Sequence, residues 1–143
     1  MDEGVRAWES LYKMLPINHD HISTTPFVMP NSFLYNEERG FDGESMSDWF
    51  TGAGCVLIKL IVNGMLGIKP DLGGVRVRPA SYMPFKSMSI TVKLKGTDLT
   101  VIYENAGKGE RSFEVNGNAA NADGGVYIPD GSYDGKITVR ITD

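Results

Sequence analysis

Residues 40–54 read Gly-Phe-Asp-Gly-Glu-Ser-Met-Ser-Asp-Trp-Phe-Thr-Gly-Ala-Gly. They place a hydroxyl, a glycine pair and aromatics at the start of a strongly apolar run. A helix start leaves backbone N–H groups unpaired and carries the positive end of the helix dipole, so it can hold an anion such as phosphate. Thr51 adds a hydroxyl donor, and Gly52 lets the backbone approach closely. The competing account is packing, which glycines near a helix start serve more often than ligand binding. Other residues invite the same comparison. Asp42, Glu44 and Asp48 suit an acid/base pair, but a capping, solvated loop explains them with fewer assumptions. Glu37, Glu38 and Arg39 read as an ordinary charged loop. His19 and His21 flank Asp20 in a pattern that can bind metal, yet no further ligand spacing accompanies them and no metal is expected. Trp8 and Trp49 lie at helical apolar positions and read as core rather than sugar-stacking surface. Cys55 reads as a buried, inert thiol. Tyr82, Phe85, Tyr103, Tyr127 and Tyr133 are scattered, which favours packing over a sugar platform.

Composition narrows the function classes. The chain has 143 residues, 41% of them hydrophobic, and a net charge of −4. With no basic stripe or basic–aromatic interleaving, no nucleic-acid role is expected. A lone cysteine cannot form an internal disulfide and fits a reducing compartment. The acidic start, Met1-Asp2-Glu3-Gly4, has none of the regions of a signal peptide. The apolar run from Val56 to Leu66 is interrupted by Lys59, Asn63 and Gly64, so a core helix is expected rather than a membrane span. A cytoplasmic location follows as the expectation.

The elements that must position residues 40–54 change type near Pro70. Val5, Trp8, Leu11, Tyr12 and Leu15 recur at helical spacing and share one face, and Pro16 stops that helix. Residues 17–48 read as a long irregular segment, and loops of that length are functional or mobile. A second helix is expected from about Asp48 to Leu66, capped by Ser47 or Asp48 and stopped by Gly67. Its apolar residues go nearly all the way round, which predicts burial on several sides. After Pro70, alternating segments at 75–78, 88–94, 99–104, 111–115 and 136–141 predict strands. Turn chemistry separates them at Lys95-Gly96-Thr97-Asp98, Asn116-Gly117-Asn118 and Asp130-Gly131-Ser132, with Asn116-Gly117 the strongest hairpin signal. An antiparallel β-sandwich is the expected arrangement. A helix apolar all round cannot bury itself against one small sandwich, and an exposed apolar surface of that size marks a missing partner. On physical grounds the chain reads as the tail of something larger.

Several elements carry a family resemblance. In order they are Arg6-Ala7-Trp8-Glu9, Pro16-Ile17-Asn18-His19, Pro26-Phe27-Val28, Gly43-Glu44, Trp49-Phe50-Thr51-Gly52, Leu66-Gly67-Ile68-Lys69-Pro70-Asp71, Val75-Arg76-Val77-Arg78-Pro79 and Asn116-Gly117. Through them the chain resembles the C-terminal end of glycoside hydrolase family 94, the inverting glycoside phosphorylases that include cellobiose phosphorylase. The resemblance spans essentially the whole chain. Its most specific part is Trp-x-Thr-Gly followed by Leu-Gly-Ile-Lys-Pro; the strand region is much less so.

The resemblance implies an α+β chain. Residues 1–70 would be the last helices and the active-site loop of an (α/α)6 catalytic barrel, and residues 71–143 a C-terminal β-sandwich. It implies cleavage of β-glucosides by inorganic phosphate as co-substrate, with no cofactor. One carboxylic acid protonates the leaving oxygen while phosphate attacks the opposite face. The family's phosphate-holding Thr-Gly pair falls on Thr51 and Gly52, and Arg39, Asp42, Glu44 and Trp49 fall in the active-site loop. The family's general acid and its phosphate-binding arginine lie upstream of this chain, so it carries no catalytic residue and is expected to be inactive alone. A basic residue commonly precedes Gly-Glu in the phosphorylases; Asp42 stands there instead, and an aspartate repels phosphate. Expected partners are the substrate and phosphate in the complete enzyme, and the upstream barrel or a second copy over the apolar helices. The alternative is a non-catalytic module that self-associates or binds carbohydrate.

Overall fold

The computed structural model describes residues 3–18, 28–46, 51–107, 110–120, 125–132 and 135–143, with only the backbone described at Asp42. The chain is mixed α+β and rich in strand, and it divides into two compact units, Met1–Ile61 and Val62–Asp143.

The first unit opens with α1 (Glu3–Lys13), an amphipathic helix whose Leu11 is buried and whose Val5 and Trp8 are half-buried. Tyr12, expected on the same face, is exposed. A 3-10 turn at Pro16–Asn18 follows, where proline fits because a first-turn residue needs no N–H partner. The segment expected to be irregular holds an antiparallel hairpin, β1 (Ser32–Asn36) and β2 (Phe41–Met46). Local turn chemistry outweighs its unpromising composition. The Asn36 side chain accepts from the Arg39 N–H at 3.0 Å and caps a 3-10 turn over Glu37–Arg39. Gly40 then reverses the chain at φ +72°. The register slips between Leu34 and Tyr35, opposite Gly43, whose φ of +84° suits a glycine bulge.

The second helix is shorter than expected. α2 spans Ala53–Lys59 and continues as a π-helical turn, Leu60–Met65, within which the division between the units falls. The expected caps Ser47 and Asp48 lie outside the described residues; the observed cap is Gly52. Asn63 and Gly64, both poor helix formers, sit in the widened turn. The expectation of a buried core helix is overturned. No residue of α2 or of the π turn is buried, and Val56, Ile58 and Leu60 are each more than half exposed. Cys55 is exposed as well.

In the second unit, Gly67 links the end of the helical run to the first strand. Its φ of +66° and its tight contact with the Arg78 carbonyl leave no room for a side chain, while Arg78 N–H donates to the Gly67 carbonyl at 2.9 Å. A three-stranded sheet follows in the order β3 (Ile68–Asp71), β4 (Gly74–Val77), β9 (Val126–Pro129). A five-stranded sheet has the order β5 (Ser87–Leu94), β6 (Thr97–Glu104), β10 (Lys136–Thr142), β7 (Ser112–Val115), β8 (Asn118–Ala120). The strands alternate buried and exposed residues. The inward rows include Val75 and Val77, Leu99, Val101 and Tyr103, and Ile137, Val139 and Ile141. That one-sided burial is what two facing sheets require, and the unit is sandwich-like.

The five strands expected here are all present. The structure adds β3, β8 and β9, which are short and carry little alternation to read. The expectation of a purely antiparallel arrangement needs correction, because β10 lies parallel to β6 and antiparallel to β7. The turn expected at residues 95–98 is tighter than expected. Lys95 and Gly96, both at positive φ, form a two-residue hairpin loop, and Thr97 already begins β6.

Candidate functional site

Thr51 and Gly52 stand at the head of α2. The Thr51 hydroxyl oxygen accepts from the Ala53 N–H at 2.9 Å, so the side chain folds over the first helical donor. Among the described residues its own proton has no acceptor. Gly52 caps the helix with no side-chain bond, and a Cβ built there meets nothing within 4 Å. Gly54 is equally open. The first turn of any helix leaves N–H groups without intrahelical acceptors, and here glycine leaves them sterically accessible. Chemically, this end can take a small anion or a polar oxygen.

The remaining residues expected at the site are placed as follows. Arg39 is exposed at the end of the 3-10 turn between β1 and β2, and Glu44 is half-buried on β2 opposite Leu34. Asp42 belongs to the same strand, paired with Tyr35. The stretch expected to be an active-site loop is therefore a strand hairpin at these three positions. Among the described residues no hydrogen bond or ion pair joins Arg39 or Glu44 to Thr51 or Gly52. Trp49, and the His19–His21 pair considered for metal, lie outside the described residues. Among the described residues no cluster of three or more histidine, cysteine or acidic side chains could hold a metal ion, and no helix is long and apolar enough to cross a membrane.

A polar cluster that the sequence did not suggest joins three strand ends. Arg111 Nε and Nη2 grip the Asp143 carboxylate at 3.2 and 2.9 Å, while Nη1 donates to the Pro79 and Ala80 carbonyls at 3.1 Å each. The Tyr103 hydroxyl donates to the same carboxylate at 2.8 Å. The Arg111 hydrogen bond holds the Asp143 carboxyl below its ordinary range, helped by Tyr103 and opposed by partial burial. Burial first, and then the bond to Asp143, push the Tyr103 phenol up to about 12. Arg111 is raised in turn, chiefly by its bond to Asp143. Its donors are committed to these acceptors, so the cluster works as a clasp between the 79–81 segment and the five-stranded sheet. Nothing in residues 111–115 beyond strand alternation signalled it.

Other surfaces of the second unit are less organised. A cleft of about 210 Å³ opens where the two sheets meet, floored by Val75, Leu99 and Ile137, and Lys95 pairs with Asp130 beside it. Of the aromatics weighed as a sugar platform, Tyr103 is buried and Tyr133 lies outside the described residues. Tyr127 lies against Gly74 with its hydroxyl on the Leu72 carbonyl at 3.0 Å.

Compared with known proteins, the chain matches no protein-family model and no curated protein.

Proposed function

We propose that this chain is the C-terminal region of a cytoplasmic, family-94-like inverting glycoside phosphorylase. In this reading residues 1–70 close an (α/α)6 barrel and residues 71–143 form its accessory sandwich. Thr51 and Gly52 contribute a hydroxyl and an open backbone to the subsite for inorganic phosphate. The general acid comes from upstream chain, so this segment is inactive alone. It serves as part of an enzyme that cleaves β-glucosides with phosphate.

The observation that carries the reading is the helix that follows Thr51-Gly52. It is apolar nearly all round, and none of its residues is buried. An exposed apolar surface of this kind asks for more protein, and the upstream barrel supplies it. The motif resemblance then supplies the chemistry.

The test is reconstitution with the upstream barrel. Phosphate-dependent release of a sugar 1-phosphate from a β-glucoside is the expected result. Thr51→Ala in that enzyme removes one hydrogen bond to a charged group, which corresponds to a rise in the phosphate KM of about tenfold or more. An unchanged phosphate KM overturns the site assignment. Water-dependent hydrolysis with no response to phosphate overturns the phosphorylase reading, and is the outcome Asp42 would favour.

A further inference from the structure

Sheet edges expose unpaired backbone groups, and proteins usually blunt them. Most of the edges of the second unit are blunted. β3 carries Pro70, β9 carries Pro129, and β8 is three residues long. β5 is different. It runs eight residues, Ser87–Leu94, without proline, glycine or bulge, and it lies at the end of the five-stranded sheet with β6 as its only strand partner among the described residues.

The register identifies which groups lack a strand partner among the described residues. Asn105 N–H donates to the Lys86 carbonyl at 2.8 Å, and the pairing runs on from Ser87 opposite Glu104 to Leu94 opposite Thr97. In an antiparallel ladder, alternate residues turn both backbone groups toward the same neighbour. Met88, Ile90, Val92 and Leu94 therefore face β6. Ser87, Ser89, Thr91 and Lys93 direct their N–H and C=O groups out of the sheet. The side chains of Met88, Ile90, Val92 and Leu94 form an inward row that remains only half-buried.

We infer that this edge pairs with the β5 of a second copy, antiparallel about a two-fold axis at Ile90. One register uses all four outward residues at once: Ser87 meets Lys93 of the second copy, and Ser89 meets its Thr91. It gives about eight backbone hydrogen bonds across the axis. The same register places Ile90 against Ile90 and Met88 against Val92 in the closely spaced, non-hydrogen-bonded positions, so the half-buried row continues across the join.

The charges agree with it. Lys93 lies opposite Asp98 within its own sheet, and Ser87 lies opposite Glu104. Joining the edges produces the row Glu104–Ser87–Lys93–Asp98, in which Lys93 keeps Asp98 on one side and gains the neutral Ser87 of the other copy on the other, while Glu104 stays paired with Arg140; no like charges face one another. Lys95, next to the join, is already paired with Asp130. The edge is thus self-complementary in hydrogen bonding, apolar surface and charge, which is what an isologous two-fold contact requires.

Sedimentation of the 143-residue chain over a range of concentrations tests the pairing together with amide exchange. The expected result is a reversible dimer of twice 15.7 kDa, with the amides of Ser87, Ser89, Thr91 and Lys93 gaining protection as concentration rises. Ser89→Pro removes one edge donor and no bond to β6, a position where proline is tolerated. It should weaken the dimer about tenfold or more and leave the thermal melt in place. Should that variant fold poorly, Ile90→Cys in a Cys55→Ser background gives the same answer. A disulfide should close across the axis at Ile90→Cys and not at Ser87→Cys, which faces Lys93. A monomer at every concentration overturns the inference. So does a dimer whose edge amides exchange as fast as in the monomer, since that dimer forms through another surface. A strand that adds to β5 only from a different protein likewise overturns it.

Discussion

At the scale of single residues, two positions carry more than their side chains suggest. Gly67 sits where the helical run turns into β3, at positive φ and against the Arg78 carbonyl. Gly67→Ala combines backbone strain with a collision that only a backbone shift relieves. A loss of about 2–4 kcal/mol in chemical denaturation is expected. The sequence marked this glycine correctly as a helix stop, but its contact with a residue eleven positions on is a property of the fold. Asp143 makes a pH prediction. Its carboxyl is held below the ordinary range by Arg111, so the folded state favours the carboxylate. That contribution is complete above the ordinary carboxylate range and is lost as pH falls through the depressed value. Asp143→Asn should therefore cost about 1–3 kcal/mol near neutral pH, with the penalty shrinking in acid; denaturation at several pH values measures it. Tyr103 works in the opposite direction. Its phenol is raised to about 12, so its contribution is complete below the unfolded phenol's value near 10 and is lost as pH climbs from there through 12.

At the scale of elements, legibility followed local chemistry. The alternation of Ile90, Val92 and Leu94 against Ser89, Thr91 and Lys93 made β5 readable, and Asn116-Gly117 marked the β7–β8 hairpin because both residues accept positive φ. The β1–β2 hairpin was missed because its turn is built by an asparagine cap and two glycines rather than by periodic hydrophobicity. Thr51-Gly52 was readable as a helix start, although the helix begins five residues later than its apolar pattern suggested. What sequence alone withheld was burial. Identical apolar periodicity describes a core helix and an uncovered one, and α2 is the uncovered kind. Ile58 is 64% exposed, so Ile58→Asp should change the stability of this chain by no more than about 0.5 kcal/mol. Under the proposed function, the same substitution should abolish functional pairing with the upstream barrel. Denaturation of the chain and complementation of activity, measured side by side, separate the two effects.

At the scale of the whole molecule, the two units divide within a single helical run, at Ile61 and Val62. The second unit owns its core, from Ile68 through Ile141, and its own clasp at Arg111 and Asp143. Residues 62–143 expressed alone should therefore melt in one cooperative transition. Calorimetry should give an enthalpy of about 60 kcal/mol near 60 °C, as expected for a unit of that size; a broad, non-cooperative melt would show that its core depends on residues 1–61. The change from helical to alternating pattern falls near Pro70, whereas the units divide between Ile61 and Val62; β10's parallel place beside β6 could not be read from alternation, which is blind to strand direction.

That place has a consequence for synthesis. β10 is made after the other strands of its sheet, yet it lies between β6 and β7 and joins two halves that, among the described residues, share no other ladder. While a ribosome still holds residues 136–142 in its exit tunnel, the β5–β6 and β7–β8 hairpins can form but cannot be joined. The nascent sandwich must therefore wait with its apolar rows open until β10 emerges and slots between them. A chaperone that shields strand edges would be needed most in that interval, and a slow codon run late in the message would prolong it.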